Sequence, residues 1–164
     1  MEVGRLQTQS YLLDPMRNMH VRLKPVEEVL IITDGSAHLQ QWGAGAAFVV
    51  VKTSPFKILG AGYEGWPWAP PFRMEVEAIR MGLKFACAAG FANIQVCSDC
   101  LPVIQILQAG SSGPPQIQDI MEDIYNRVNS LPSTTFCKVS RQCTQNSSKI
   151  CSWSDDTEVD IGTA

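Results

Sequence analysis

Three things are scarce in this chain: long apolar runs, basic charge and histidine. No apolar run among its 164 residues approaches the roughly 18 needed to span a membrane as a helix. Met1 to Pro15 shows no basic start followed by an apolar core, as a secretory leader would require. The expectation is a soluble, intracellular chain without a membrane partner, monomeric by default, its compartment unspecified. A formal net charge of -3 and a pI near 5.3 offer no basic face of the kind that nucleic-acid binders usually carry. A nucleic-acid ligand would therefore need a cation to offset repulsion. With only 2 histidines, the CxxC spacing of Cys97-Ser98-Asp99-Cys100 lacks the second CxxC or His pair that would complete a zinc site. The 6 cysteines are expected as thiols, the CxxC pair as ordinary small core residues.

What is present is one domain's worth of chain with 45% hydrophobic residues, enough for a core. Its centre is Val29 to Ser36, VLIITDGS. Val29 to Ile32 reads as a strand buried on both faces, and it delivers Asp34 to a sheet interior, where a carboxylate needs a partner or a metal. Ala37 to Trp42 reads as a polar turn, Gly43 to Lys52 as a second strand and Ile58 to Gly65 as a third, an antiparallel meander. Gly43 and Gly45 do not make a phosphate loop, because Phe48 stands where a third glycine is required and no Lys-Ser/Thr follows.

Trp66 to Phe72 is a proline-aromatic linker, read as non-helical, and Met74 to Ala89 is a strong helix. Glu75, Ala78, Ile79, Gly82, Ala86 and Ala89 form its inward stripe, while Glu77, Arg80 and Lys84 lie on the opposite, solvated face. Asn93 to Ser98 is a fourth strand, again ending in an acid, Asp99. Helices follow over Leu101 to Ala109 and Pro115 to Ser130. In the second, Asp119, Glu122 and Asp123 face water. Thr134 to Val139 is the fifth strand. Residues 1–27 read as an irregular arm interrupted by Pro15 and Pro25, residues 28–141 as the domain, and residues 142–164 as a polar tail without a period, expected to be poorly ordered.

If the first and fourth strands are parallel neighbours joined by a helical crossover, their ends bring Asp34 and Asp99 together, with Glu75 in reach. Three carboxylates without a Lys or Arg in those segments repel unless divalent cations hold them. Hard oxygen ligands without histidine select Mg²⁺ or Mn²⁺ over Zn²⁺.

At these residues the chain resembles the ribonuclease H family, most closely its plant, retroelement-like, reverse-transcriptase-like type. The resemblance runs through Thr33-Asp34-Gly35-Ser36, the Gly43-x-Gly45 strand, Glu75-x-x-Ala78-x-x-x-Gly82-Leu83 and Ser98-Asp99-Cys100, over roughly residues 28 to 141. It implies an α/β, three-layer fold with a five-stranded mixed sheet flanked by helices. It also implies metal-dependent endonucleolytic hydrolysis of the RNA strand of RNA:DNA hybrids, with Asp34, Glu75 and Asp99 as the catalytic, metal-binding acids. Gly35, Ser36, His38 and Gln40 would then meet the hybrid, whose 2′-hydroxyls identify RNA.

The chain departs from that family after its last strand. Where Arg-x-x-Asn-x-x-Ala-Asp is usual, Arg141 is followed by Thr144, Ser147 and Ser148, so Ser148 replaces the fourth acid. A hydroxyl is a poor substitute for a carboxylate on Mg²⁺. The family's histidine is also missing, and metal binding is expected to survive better than turnover. The alternative is a nucleic-acid-binding or protein-interaction descendant of the fold without activity. Haloacid-dehalogenase phosphatases resemble the Asp-Gly-Ser strand locally, but Ile32 occupies their nucleophile's position.

Overall fold

The computed structural model describes residues 29–38 and 43–141. The expectations for the arm, for Gln40 and for the tail with Ser148 lie outside the described residues. In chain order the elements are β1 (Val29–His38), β2 (Gly43–Thr53), β3 (Phe56–Trp66), α1 (Pro71–Ala89), β4 (Asn93–Ser98), α2 (Leu101–Ala109), a 3₁₀ turn (Pro115–Ile117), α3 (Gln118–Ser130) and β5 (Ser133–Lys138).

The strands make one five-stranded sheet in the order β3-β2-β1-β4-β5. β1, β2 and β3 pair antiparallel as a meander, and β4 joins β1 in parallel, followed by β5. The sheet is mixed, as expected. β1 is central, and Leu30, Ile31 and Ile32 are all fully buried, which explains why its apolar run does not alternate.

The two sheet faces support separate clusters. Ile31, Ala46, Phe48, Val50 and Val96 pack against Val76, Ile79 and Leu83 of α1, Val103 and Leu107 of α2, and Ile120 and Ile124 of α3. On the other face Leu30, Ile32, Val49, Val51, Ile58 and Cys97 make a second buried cluster with Val139. Fully burying each such aliphatic side chain contributes about 1.5–3 kcal/mol. Gly82 lets α1 lie close, since a Cβ there would run into Ile31 and meet Phe48.

Five expectations need correction. Asp34 does not close β1: the strand continues to His38 because its pairing with β2 runs on through His38↔Gly43. Helix α1 begins at Pro71 within the proline-rich linker, since proline suits a first helical turn whose N–H has no partner anyway. Ala89 is exposed at the helix end. Glu77 is not on a solvated face; it is 7% exposed, because α3 packs beside that side of α1. There Arg80 donates to Glu77 at 2.6 Å and stands 3.6 Å from Asp123, which also pairs with Arg127 at 3.1 Å. Asp123 is accordingly half-buried, whereas Asp119 and Glu122 are exposed as expected.

Candidate metal centre

The register of the parallel pair explains why two acids meet. The last rung between β1 and β4 is Ile32↔Cys97. Asp34 and Asp99 each lie two residues beyond it, Asp34 still within β1 and Asp99 just after β4, so the two neighbouring segments carry both acids to the same end of the sheet. The Thr33 hydroxyl donates to the Cys97 carbonyl at 3.2 Å, which ties the strands beyond the final rung.

The third acid arrives on α1. Gly35 makes this possible, because a Cβ there would collide with the backbone of Met74 and Glu75. In return the Gly35 N–H donates to the Glu75 carboxylate. One ligand oxygen from each of Asp34, Glu75 and Asp99 lies within 4.8 Å of the others, and all three residues are half-buried. Gly35→Ala is expected to destabilise the protein by about 1–3 kcal/mol, as overpacking does, and to weaken metal binding more than Gly82→Ala does. Chemical denaturation with and without Mn²⁺ checks both.

The electrostatics centre on Glu75. Burial first, then the charges of Asp34 and Asp99, push the Glu75 carboxyl up to about 8, against opposing pulls from the Gly35 N–H and the Arg141 guanidinium. Glu75 Oε2 is buried and has no hydrogen-bond partner. Such an oxygen is costly unless a proton or a cation meets it. An all-oxygen donor set at this spacing suits a hard divalent cation, so the residues fit the metal that the sequence implied.

Sequence reasoning missed one member of the cluster. Arg141 Nε lies 3.4 Å from Asp99 Oδ2, the guanidinium side chain 83% exposed and the aspartate side chain 11%. Because β5 runs parallel to β4, whatever follows β5 emerges beside whatever follows β4, and that ordering was the available signal. Of the residues expected to meet substrate, Gly35 is half-buried, and Ser36 and His38 are exposed on β1. His38 stands four residues past Asp34, about 13 Å along the strand, beyond direct reach of the three acids. The CxxC cysteines do not pair: Cys97 is buried in the second cluster, while Cys100 lies on the helix side against the first.

A family model described as reverse transcriptase-like matches residues 32–154. No curated protein matches the chain by sequence. Among solved structures, the chain is similar to the N-terminal RNase H domain of a Mycobacterium tuberculosis protein, with a TM-score of 0.71 and 17% identity over 79% of this chain and 94% of that one. It is similar to RNase H1 from the halophilic archaeon Halobacterium salinarum, with a TM-score of 0.70 and 18% identity over 79% of this chain and 99% of that one. A third structure, LC11-RNase H1 in complex with an RNA/DNA hybrid, gives a TM-score of 0.67 and 16% identity over 74% and 91% of the two chains. Among the described residues, no helix is long and apolar enough to cross a membrane.

Proposed function

The chain belongs to the reverse transcriptase-like family and has the ribonuclease H fold, and on that premise we propose that it hydrolyses the RNA strand of RNA:DNA hybrids. The observation that carries this reading is the convergence of Asp34, Glu75 and Asp99 within 4.8 Å around an unpartnered, buried carboxylate oxygen. A fold keeps three like charges together at a cost, and binding Mg²⁺ or Mn²⁺ is the function that offsets it.

The chain's own residues divide the work. Asp34, within β1 just past its last rung with β4, Asp99, just after β4, and Glu75, fixed by the Gly35 contact, hold the cations in one place. Bound there, divalent cations supply an activated water and charge stabilisation for the leaving oxygen. Gly35 and Ser36, next to Asp34 on β1, present backbone and hydroxyl to the 2′-hydroxyls of the RNA strand, with His38 further along the same strand. Arg141 offers an exposed guanidinium beside Asp99 for a phosphate oxygen. Positioning and charge neutralisation are the whole of the protein's contribution.

The test is hydrolysis of a labelled RNA:DNA hybrid beside a matched DNA duplex, in Mg²⁺ and then Mn²⁺. The expected result is cutting of the RNA strand alone, abolished by chelation. Hybrid left intact in both metals, while Mn²⁺ still raises the melting temperature, would favour the binding-only descendant. Ser148 in place of the fourth acid is the observation on that side.

A further inference from the structure

β4 and β5 are joined by a rung at Cys97↔Cys137, and the two sulfurs lie 3.2 Å apart. The cysteines sit 40 residues apart in the chain, so neither the CxxC spacing nor any local pattern points to this pair. Both side chains lie on the same sheet face, packed with Leu30, Ile32 and Val139. Paired residues on adjacent strands have Cα atoms about 5 Å apart, inside the range a disulfide spans, and closing the bond brings the sulfurs to about 2.05 Å.

We propose that Cys97 and Cys137 form a thiol–disulfide exchange site, closed to a cross-strand disulfide by a low-molecular-weight disulfide such as glutathione disulfide. Access decides the order of events. Cys97 is fully buried, whereas Cys137 is half-buried near the sheet edge. The Cys137 sulfur, as thiolate, attacks one sulfur of glutathione disulfide, releasing one glutathione and forming a mixed disulfide. The Cys97 sulfur then attacks Cys137 Sγ, expelling the second glutathione. Two protein thiols are oxidised, one glutathione disulfide is reduced to two glutathiones, and two protons leave the protein sulfurs.

The bond would staple the two parallel strands just before Asp99 and Arg141, the residues that meet across the metal centre. Closing a loop of this length restricts the unfolded chain, so the oxidised protein should melt at higher temperature.

The experiment uses the full chain, incubated with an excess of glutathione disulfide, then alkylated and measured by intact mass and peptide mapping. Expected is a species two hydrogens lighter, with a cross-linked peptide joining Cys97 to Cys137. Its melting temperature should lie several degrees above that of the reduced protein and return on treatment with dithiothreitol. Cys137→Ala and, separately, Cys97→Ala should each remove the cross-link and the stabilisation. Because Cys137 is the less buried, its variant keeps the test open if Cys97→Ala does not fold. Glutathione adducts alone, a cross-link to another cysteine, or the same rise in melting temperature in Cys137→Ala would each overturn the proposal.

Discussion

Asp34→Asn is expected to lower hybrid cleavage at least about 10³-fold, because a metal centre supplies several kcal/mol of transition-state stabilisation and each 1.4 kcal/mol is tenfold in rate. The same substitution should raise the melting temperature of the metal-free protein. An amide at this position removes one of the charges that raise the Glu75 carboxyl, and its N–H₂ group can donate to a neighbouring carboxylate. It should also remove most of the stabilisation by Mn²⁺, since a ligand that binds only the folded state raises stability by an amount that grows with the logarithm of its concentration over its Kd. These changes have opposite signs, which separates loss of a metal ligand from loss of fold. A variant that cleaves like the parent would sink the site; one that is merely unstable would show reduced melting temperature with and without metal. The measurements are a cleavage time course in Mg²⁺ and thermal shifts across a Mn²⁺ titration.

How much of this could be read before the fold was known depends on whether a feature is local. Asp34 and Asp99 were legible because each follows an apolar run, and an acid at the edge of a buried strand is unusual whatever surrounds it. Glu75 was legible because the helical period put it on the stripe of Ala78, Gly82 and Ala86. Glu77 was misread, since its burial comes from α3 packing beside α1 with Arg80 between them, a fact of tertiary structure that periodicity does not contain. Arg141 and the Cys97–Cys137 rung both depend on β5 lying next to β4. Strand order across a helical crossover is not written in either segment. The extent of β1 was underestimated for a related reason: beyond Asp34 it is held by β2 alone, so polar and small residues suffice there and the apolar signal stops early.

Glu75→Gln tests the electrostatic account at its centre. The Glu75 carboxyl is raised from 4.5 to about 8 in the metal-free fold, chiefly by burial and then by Asp34 and Asp99. A carboxyl with a raised folded pKa keeps its proton in the folded state after the unfolded chain has released it. Between the two values the folded protein binds more protons, so this group's contribution to stability falls as pH rises, and levels off above pH 8. The loss is on the order of a few kcal/mol, since a tenfold difference in proton affinity between the folded and unfolded chain is worth about 1.4 kcal/mol before solvent screening. A glutamine of nearly the same shape carries no such slope. The variant is therefore expected to match the parent near pH 5 and to melt several degrees higher at pH 8 in the absence of metal, with its Mn²⁺ stabilisation largely lost. Metal binding to the parent at pH 7 should release about one proton, because a ligating carboxylate must be ionised, and titration calorimetry in buffers of different ionisation enthalpy counts it. Parallel stability curves for parent and variant from pH 5 to pH 8 would show that Glu75 is not held protonated by its burial and its two acidic neighbours. The three acids would then not form the strained, charge-rich cluster whose relief by a cation underlies the proposed chemistry.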